Sequence, residues 1–298
     1  MAWWGVGIVG LSAMLALGVP WWLLAVGPVV YGVPHVVADV RYLVVRPGLH
    51  RRRHLWIWAG VPLAAAGSGF WSVPCGLAAA AAVALVSEGP TWKKGAVMVL
   101  AAGLATVAFQ IGDLSLVCFA HAHNWIALGL WWTWRPRAVG PERFVPWAFV
   151  GVTAGILTGV LVPWGPGSGW APPGLGAASH GWLAPGVTEP WATRLVVSYA
   201  FAQAVHYGIW LRLVPEEDRP QPTPRGFSAS WRALVADLGP VLVWGALVLG
   251  LGFAAWAVAD LAQARATYFR MAAFHGYLEL AAVAQRFVEG RGTGKTAA

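Results

Sequence analysis

Residues 55–87, 95–112, 114–134, 144–188 and 240–259 pass without a single Asp, Glu, Lys or Arg. Nothing else in the chain restricts its fold so strongly. A soluble protein of this length needs a charged skin, yet charged residues make up 11% of the chain, against about 25% in an average soluble domain. The apolar runs come close to the ~20 residues that cross a hydrocarbon core of about 30 Å. They are continuous and Ala-rich rather than alternating, which favours helices over strands. A lipid interior also demands that each backbone hydrogen bond close within its own segment. The pattern excludes a disordered chain and an ordinary soluble enzyme, and predicts an all-α, polytopic integral membrane bundle.

Reading the runs between their polar punctuation gives ten spans, at about 3–19, 21–45, 55–70, 72–87, 95–111, 114–134, 144–163, 191–214, 240–260 and 265–288. The third and fourth are short enough to form a re-entrant pair, which sets the range at eight to ten. With both termini in the cytoplasm, seventeen of the twenty Lys and Arg residues fall at inner ends and loops, and only Arg194, Arg265 and Arg270 fall outside. That asymmetry is what the positive-inside rule expects. Residues 1–290 read as one transmembrane domain, and 291–298 as a flexible tail. The start, Met1-Ala-Trp-Trp-Gly, has no basic n-region and is expected to stay in the mature protein. A bacterial inner membrane is the expected location, with membrane lipids as neighbours. The net charge of +8 does not point to nucleic acid, because the basic residues lie between apolar runs.

Several features read as structural. Residues 164–190, rich in Gly, Pro and Trp and lacking Lys and Arg, form the longest outer connection. They are expected to plug or gate the outer surface. Gly151, Gly155 and Gly159 make a small-residue stripe suited to close helix packing. Cys75 and Cys118 both lie in apolar runs, so no disulfide framework is expected. The acidic Pro215-Glu216-Glu217-Asp218 reads as a solvated helix end.

The chemistry-bearing residues are histidines. His50, His54 and His180 belong to loops, but His35, His121, His123, His206 and His275 fall inside predicted spans. Ionisable groups there are expensive and mark function. At 1.5 Å per residue from the outer end, His121, His123 and His275 lie roughly 10–15 Å deep, and His35 and His206 roughly 20–22 Å. Four helices thus bring imidazole to one slab near the midplane. Asp39 follows His35 at i+4 and Glu279 follows His275 at i+4, each pair on one helix face. A metal satisfies both group types at once, with imidazole nitrogen as ligand and carboxylate as ligand or orienting partner. Two residues apart, His121 and His123 point about 200° from each other. Asn124 on its face favours His121 as the inward one. Tyr31, Gln203 and Tyr199 share faces with His35 and His206 as an outer shell, and Pro34 loosens the backbone beside His35. No phosphate-binding loop or serine-elbow motif is present.

Gly32-Val33-Pro34-His35, with Asp39 four residues on, resembles the opening motif of the bacterial Brp/Blh-type β-carotene dioxygenases. The segment from Phe201 through His206 to Arg212 is similar to a late motif of that family. The resemblance implies a multi-span protein whose histidine-ligated non-haem iron cleaves a polyene with O₂, with His35 and His206 as iron ligands.

These readings converge on a membrane-embedded metal oxygenase, with Fe(II) expected, acting on a carotenoid or other lipid-soluble substrate. The ligands are taken from His35, His121, His123, His206, His275 and Glu279, and Asp39 and Glu279 are placed in the catalytic machinery. The same residues leave two other readings open. One is a haem-binding electron-transfer or quinone-reactive subunit with two axial His; the other is a proton-coupled transporter that relays protons through His and acids.

Overall fold

A computed structural model of the chain describes residues 3–134, 140–162, 171–172, 174–218 and 226–290. Among them there is no strand. The helices are α1 (Trp4–Gly18), α2 (Pro20–Asp39), α3 (Arg53–Gly67), α4 (Ser72–Val86), α5 (Thr91–Ile111), α6 (Leu114–Trp134) and α7 (Val145–Thr158). They are followed by α8 (Leu175–Leu183), α9 (Trp191–Gly208), α10 (Val214–Glu217), α11 (Phe227–Leu238), α12 (Pro240–Ala259), α13 (Leu261–Ala272) and α14 (Phe274–Glu289). Wide π-type turns extend α2 over Val40–Val45 and join α9 to α10 over Ile209–Leu213.

Among the described residues, four helices are long and apolar enough to cross a membrane: Pro20–Val45, Thr91–Ile111, Leu114–Trp134 and Pro240–Ala259. Large apolar side chains on α5 and α12 face outward, with Val241 86% and Val258 91% exposed. In water such faces are a liability; against lipid tails they are at home. This is the build of a membrane protein. Helices lie at the other expected positions as well, but α1, α3, α4 and α7 have only 14 or 15 residues, so the all-helical bundle is borne out and the count of ten spans is not.

The interior is built around α9, which touches α1, α2, α6, α7 and α8. Trp21, Trp131, Phe149, Phe201 and Trp210 are fully buried there. Because lipid is as apolar as these side chains, close packing rather than water exclusion holds them. Gly32 illustrates the fit: a Cβ there would stand 2.3 Å from the Tyr268 ring.

The two ends of the bundle differ in charge. At one end Arg41 and Arg46 reach Asp237 at 2.7 and 3.5 Å, Arg46 reaches Asp218 at 2.6 Å, and Arg52 reaches Glu289 at 2.8 Å. These pairs gather the ends of α2, α11, α10 and α14. Asp218 and Glu217 are therefore engaged rather than free in solvent, since Glu217 accepts from Trp131 at 2.8 Å. Arg194 and Arg265 sit at the opposite end, bonded to the Leu157 and Leu24 carbonyls. The division expected from the positive-inside count thus appears as a relative placement.

Four expectations need correction. The last span is two helices, α13 and α14, separated at Ala273 with no Pro there to explain the break. The glycine stripe packs on a helix only at its end: a Cβ on Gly151 meets nothing within 4 Å, whereas one on Gly159, which ends α7 at φ 86°, would stand 2.2 Å from the Arg194 guanidinium of α9. The outer connection contains α8, although 163–170 and 173 lie outside the described residues, as does the tail 291–298. Lastly, α11 was not anticipated; the ion pairs of Asp237 hold it, and none of its residues is buried.

Candidate metal centre

Four histidines from four helices meet beneath one cavity: His35 on α2, His123 on α6, His206 on α9 and His275 on α14. Ring centroids lie 4.8 Å apart for His35 and His275, and 5.3 Å for His35 and His206. His123 stands 5.0 Å from His206 and 5.4 Å from His275. One nitrogen from each of His35, His206 and His275 can be chosen so that all three lie within 4.8 Å of one another.

Backbone carbonyls orient three of these rings. His35 Nδ1 bonds the Tyr31 carbonyl at 3.2 Å and His123 Nδ1 the Ala120 carbonyl at 2.9 Å. His275 Nδ1 bonds the Ala272 carbonyl, which the break between α13 and α14 leaves without a helical donor. A carbonyl only accepts, so each Nδ1 carries the proton and each Nε2 keeps a bare lone pair. Nε2 of His35 and His275 and both ring nitrogens of His206 are buried without a hydrogen bond.

Behind the rings lie the two acids, one helical turn further along α2 and α14. Asp39 and Glu279 are both fully buried. Glu279 Oε1 accepts from Trp210 Nε1 at 2.7 Å and stands 3.6 Å from His206 Nε2. Glu279 Oε2 and both Asp39 oxygens have no hydrogen-bond partner. Asp39, His275 and Glu279 form a second group with ligand atoms within 4.8 Å of one another. Adjacent buried carboxylates require a cation or a shared proton.

The donor set passes the test of fit for a transition metal. Imidazole with carboxylate suits iron, zinc and copper, and nitrogen ligands sit about 2.1 Å from such ions. Bare nitrogens within 4.8 Å of one another close on one ion through side-chain shifts of about an ångström. The orphaned nitrogens and carboxylate oxygens are the atoms an ion would satisfy.

The cavity above the rings has a volume of about 520 Å³. Tyr199, Gln203 and Tyr207 of α9, Tyr268 and Phe269 of α13 and Trp182 of α8 are among the residues that line it. The histidines face this space, whereas Asp39 and Glu279 do not line it.

Two sequence expectations fail in detail. His121 is not the inward residue: its Nε2 lies 3.0 Å from the Leu183 carbonyl and its ring packs on Tyr199. The buried face of α6 runs through His123, Asn124, Ala127 and Trp131, which carries His123 inward instead. Tyr31 supplies its carbonyl to His35, but its side chain is 48% exposed. Gln203 and Tyr199 do lie where the outer shell was expected, bonded to each other at 3.3 Å. Sequence reasoning missed Trp210 and Arg265. The signal for Arg265 was present, since it is one of three basic residues on the wrong side of the charge count.

No protein-family model, curated protein or solved structure matches this chain.

Proposed function

We propose that this protein is an intramembrane oxygenase whose histidines hold a single redox-active metal, iron in the first instance, and whose cavity receives a lipid-soluble substrate such as a carotenoid. The observation that carries the reading is the set of bare imidazole nitrogens gathered from α2, α9 and α14 within 4.8 Å of one another below a cavity. His35, His123, His206 and His275 are the ligand set. His121, bonded elsewhere, is outside it. Glu279 ligates or orients His206, and Asp39 plays the matching role beside His275. The resemblance of Gly32-Val33-Pro34-His35 and of the His206 segment to the Brp/Blh-type dioxygenases supports the same assignment.

A bound iron supplies O₂ activation and electron transfer. The chain's own residues do the rest. The carbonyl bonds at Tyr31, Ala120 and Ala272 lock the tautomers of His35, His123 and His275, so these three rings need lose no proton to ligate. Trp210 holds the Glu279 carboxylate in place. The aromatic walls exclude water from a reactive oxidant. In this account the chain crosses a bacterial inner membrane ten times, with both termini in the cytoplasm. The gathering of Arg41, Arg46 and Arg52 at one end of the bundle supports that orientation.

Elemental analysis with a visible spectrum on gently purified, full-length protein tests the proposal. Near-stoichiometric iron without a Soret band is expected. A Soret band replaces the reading with haem ligation, and the absence of iron, zinc and copper removes it.

A further inference from the structure

Arg265 is the cation that the centre does not explain. It stands in the second turn of α13, at the opposite end of the bundle from the paired arginines, and is 8% exposed. Its position follows from a proline. Pro28 has no N–H, so the Leu24 carbonyl of α2 loses its helical donor. Arg265 Nε donates to that carbonyl at 2.9 Å. The faces of Phe269 and Trp182 flank the guanidinium at 4.8 and 5.8 Å. Nη2 nevertheless remains buried with no acceptor, and among the described residues no carboxylate pairs with it. The side chain lines the cavity that the histidines floor.

An unpaired guanidinium is expensive to bury. Its planar fork matches a carboxylate or phosphate better than any other group. We propose that Arg265 receives the carboxylate head of a single-chain amphiphile whose hydrocarbon tail runs down the cavity to the histidines. The inference rests on the reading of those histidines as the reactive centre and names the substrate class that reading left broad.

The spacing turns the cavity into a ruler. Leu24 and His35 are eleven residues apart on α2, about 16 Å along the helix. Trp182, which flanks Arg265, also packs on Tyr199, and Tyr199 precedes His206 by seven residues, about 10 Å on α9. Gln203, Tyr207, Tyr268 and Phe269 line the cavity as neutral residues; Arg270 lines it too, but is exposed rather than buried. A head at Arg265 therefore places a carbon well down its tail, not one beside the head, over the rings. A hydrocarbon with no anionic end would leave Nη2 unpaired.

The test uses full-length, iron-loaded protein in detergent, with palmitate and hexadecanol as probes and native mass spectrometry as the readout. Wild type should hold palmitate about 10- to 100-fold more tightly than hexadecanol, because a hydrogen bond to a charged group is at stake. Arg265→Gln should bring the ratio close to one while metal content stays that of wild type. Arg265→Lys, which keeps the charge but loses the fork, should fall between. Equal binding of the two probes by wild type, which needs no variant to fold, overturns the proposal. So does a preference for palmitate that survives in Arg265→Gln. If Arg265→Gln instead sheds a co-purified phosphatidylglycerol that palmitate cannot displace, the guanidinium serves a bilayer phosphate and the proposal fails. Metal analysis of the same samples separates the two readings: a charge-dependent palmitate site in protein without metal removes the oxygenase and leaves the Arg265 site standing.

Discussion

Trp210→Phe isolates a contact that only the folded chain reveals. The indole Nε1 donates to Glu279 Oε1 at 2.7 Å, in a place where both side chains are fully buried. Phenylalanine keeps most of the packing and deletes the donor. A hydrogen bond to a charged group contributes about 1.5–3 kcal/mol, and each 1.4 kcal/mol is a factor of about ten in an equilibrium constant. Because Glu279 stands 3.6 Å from His206 and within the group shared with His275, that loss falls on the metal centre. Metal affinity should drop about 10- to 100-fold, the range found when a partner that orients a metal ligand is removed. The assay is competition against a chelator of known affinity, read by metal retained on the protein. Trp131→Phe is the control. It too removes an indole donor to a carboxylate, Glu217 at 2.8 Å, but at the far end of α6 from His123. Equal metal affinity in wild type and Trp210→Phe refutes the role given to Glu279. An equal loss in Trp131→Phe refutes its local origin.

Other outcomes follow from the same geometry. His123→Ala should lower metal content, whereas His121→Ala, which loses the Leu183 carbonyl contact and the packing on Tyr199, should leave it at the wild-type level. Elemental analysis of the two proteins decides this. Gly76→Ala would place a Cβ 2.0 Å from the Tyr277 ring, so it should lower the thermal midpoint, the overpacking costing about 1–3 kcal/mol. Gly151→Ala, with nothing within 4 Å, should be silent in the same melt. Asp237→Asn breaks the ion pairs with Arg41 and Arg46. As Arg41 and Asp237 are only 12% and 21% exposed, the loss in a thermal melt should exceed that of a surface pair, at about 1–3 kcal/mol.

The helices were legible because lipid leaves a chain few options. An apolar run such as Pro240–Ala259 is helical wherever it packs, so its position is written locally. The pairing of His35 with Asp39 and of His275 with Glu279 was legible for the same reason, since i+4 is a property of one helix. What stayed hidden depends on azimuth and on neighbours. His121 and His123 lie at nearly the same depth, and only the packing of α6 decides which ring enters the cluster. The role of Trp210 depends on a residue 69 positions away. Arg265 is placed by a carbonyl that Pro28 exposes 241 positions earlier, a contact no local pattern contains. The α13–α14 break is a further case: no Pro marks it, yet it frees the Ala272 carbonyl that orients His275.

X-ray absorption at the metal edge of the full-length protein tests the centre most directly. The account predicts a first shell of nitrogen and oxygen about 2 Å from the metal, with the outer-shell scattering of three to four imidazole rings, diminished in His35→Ala and unchanged in His121→Ala. A spectrum without imidazole scattering, or one that His35→Ala leaves intact, would contradict it.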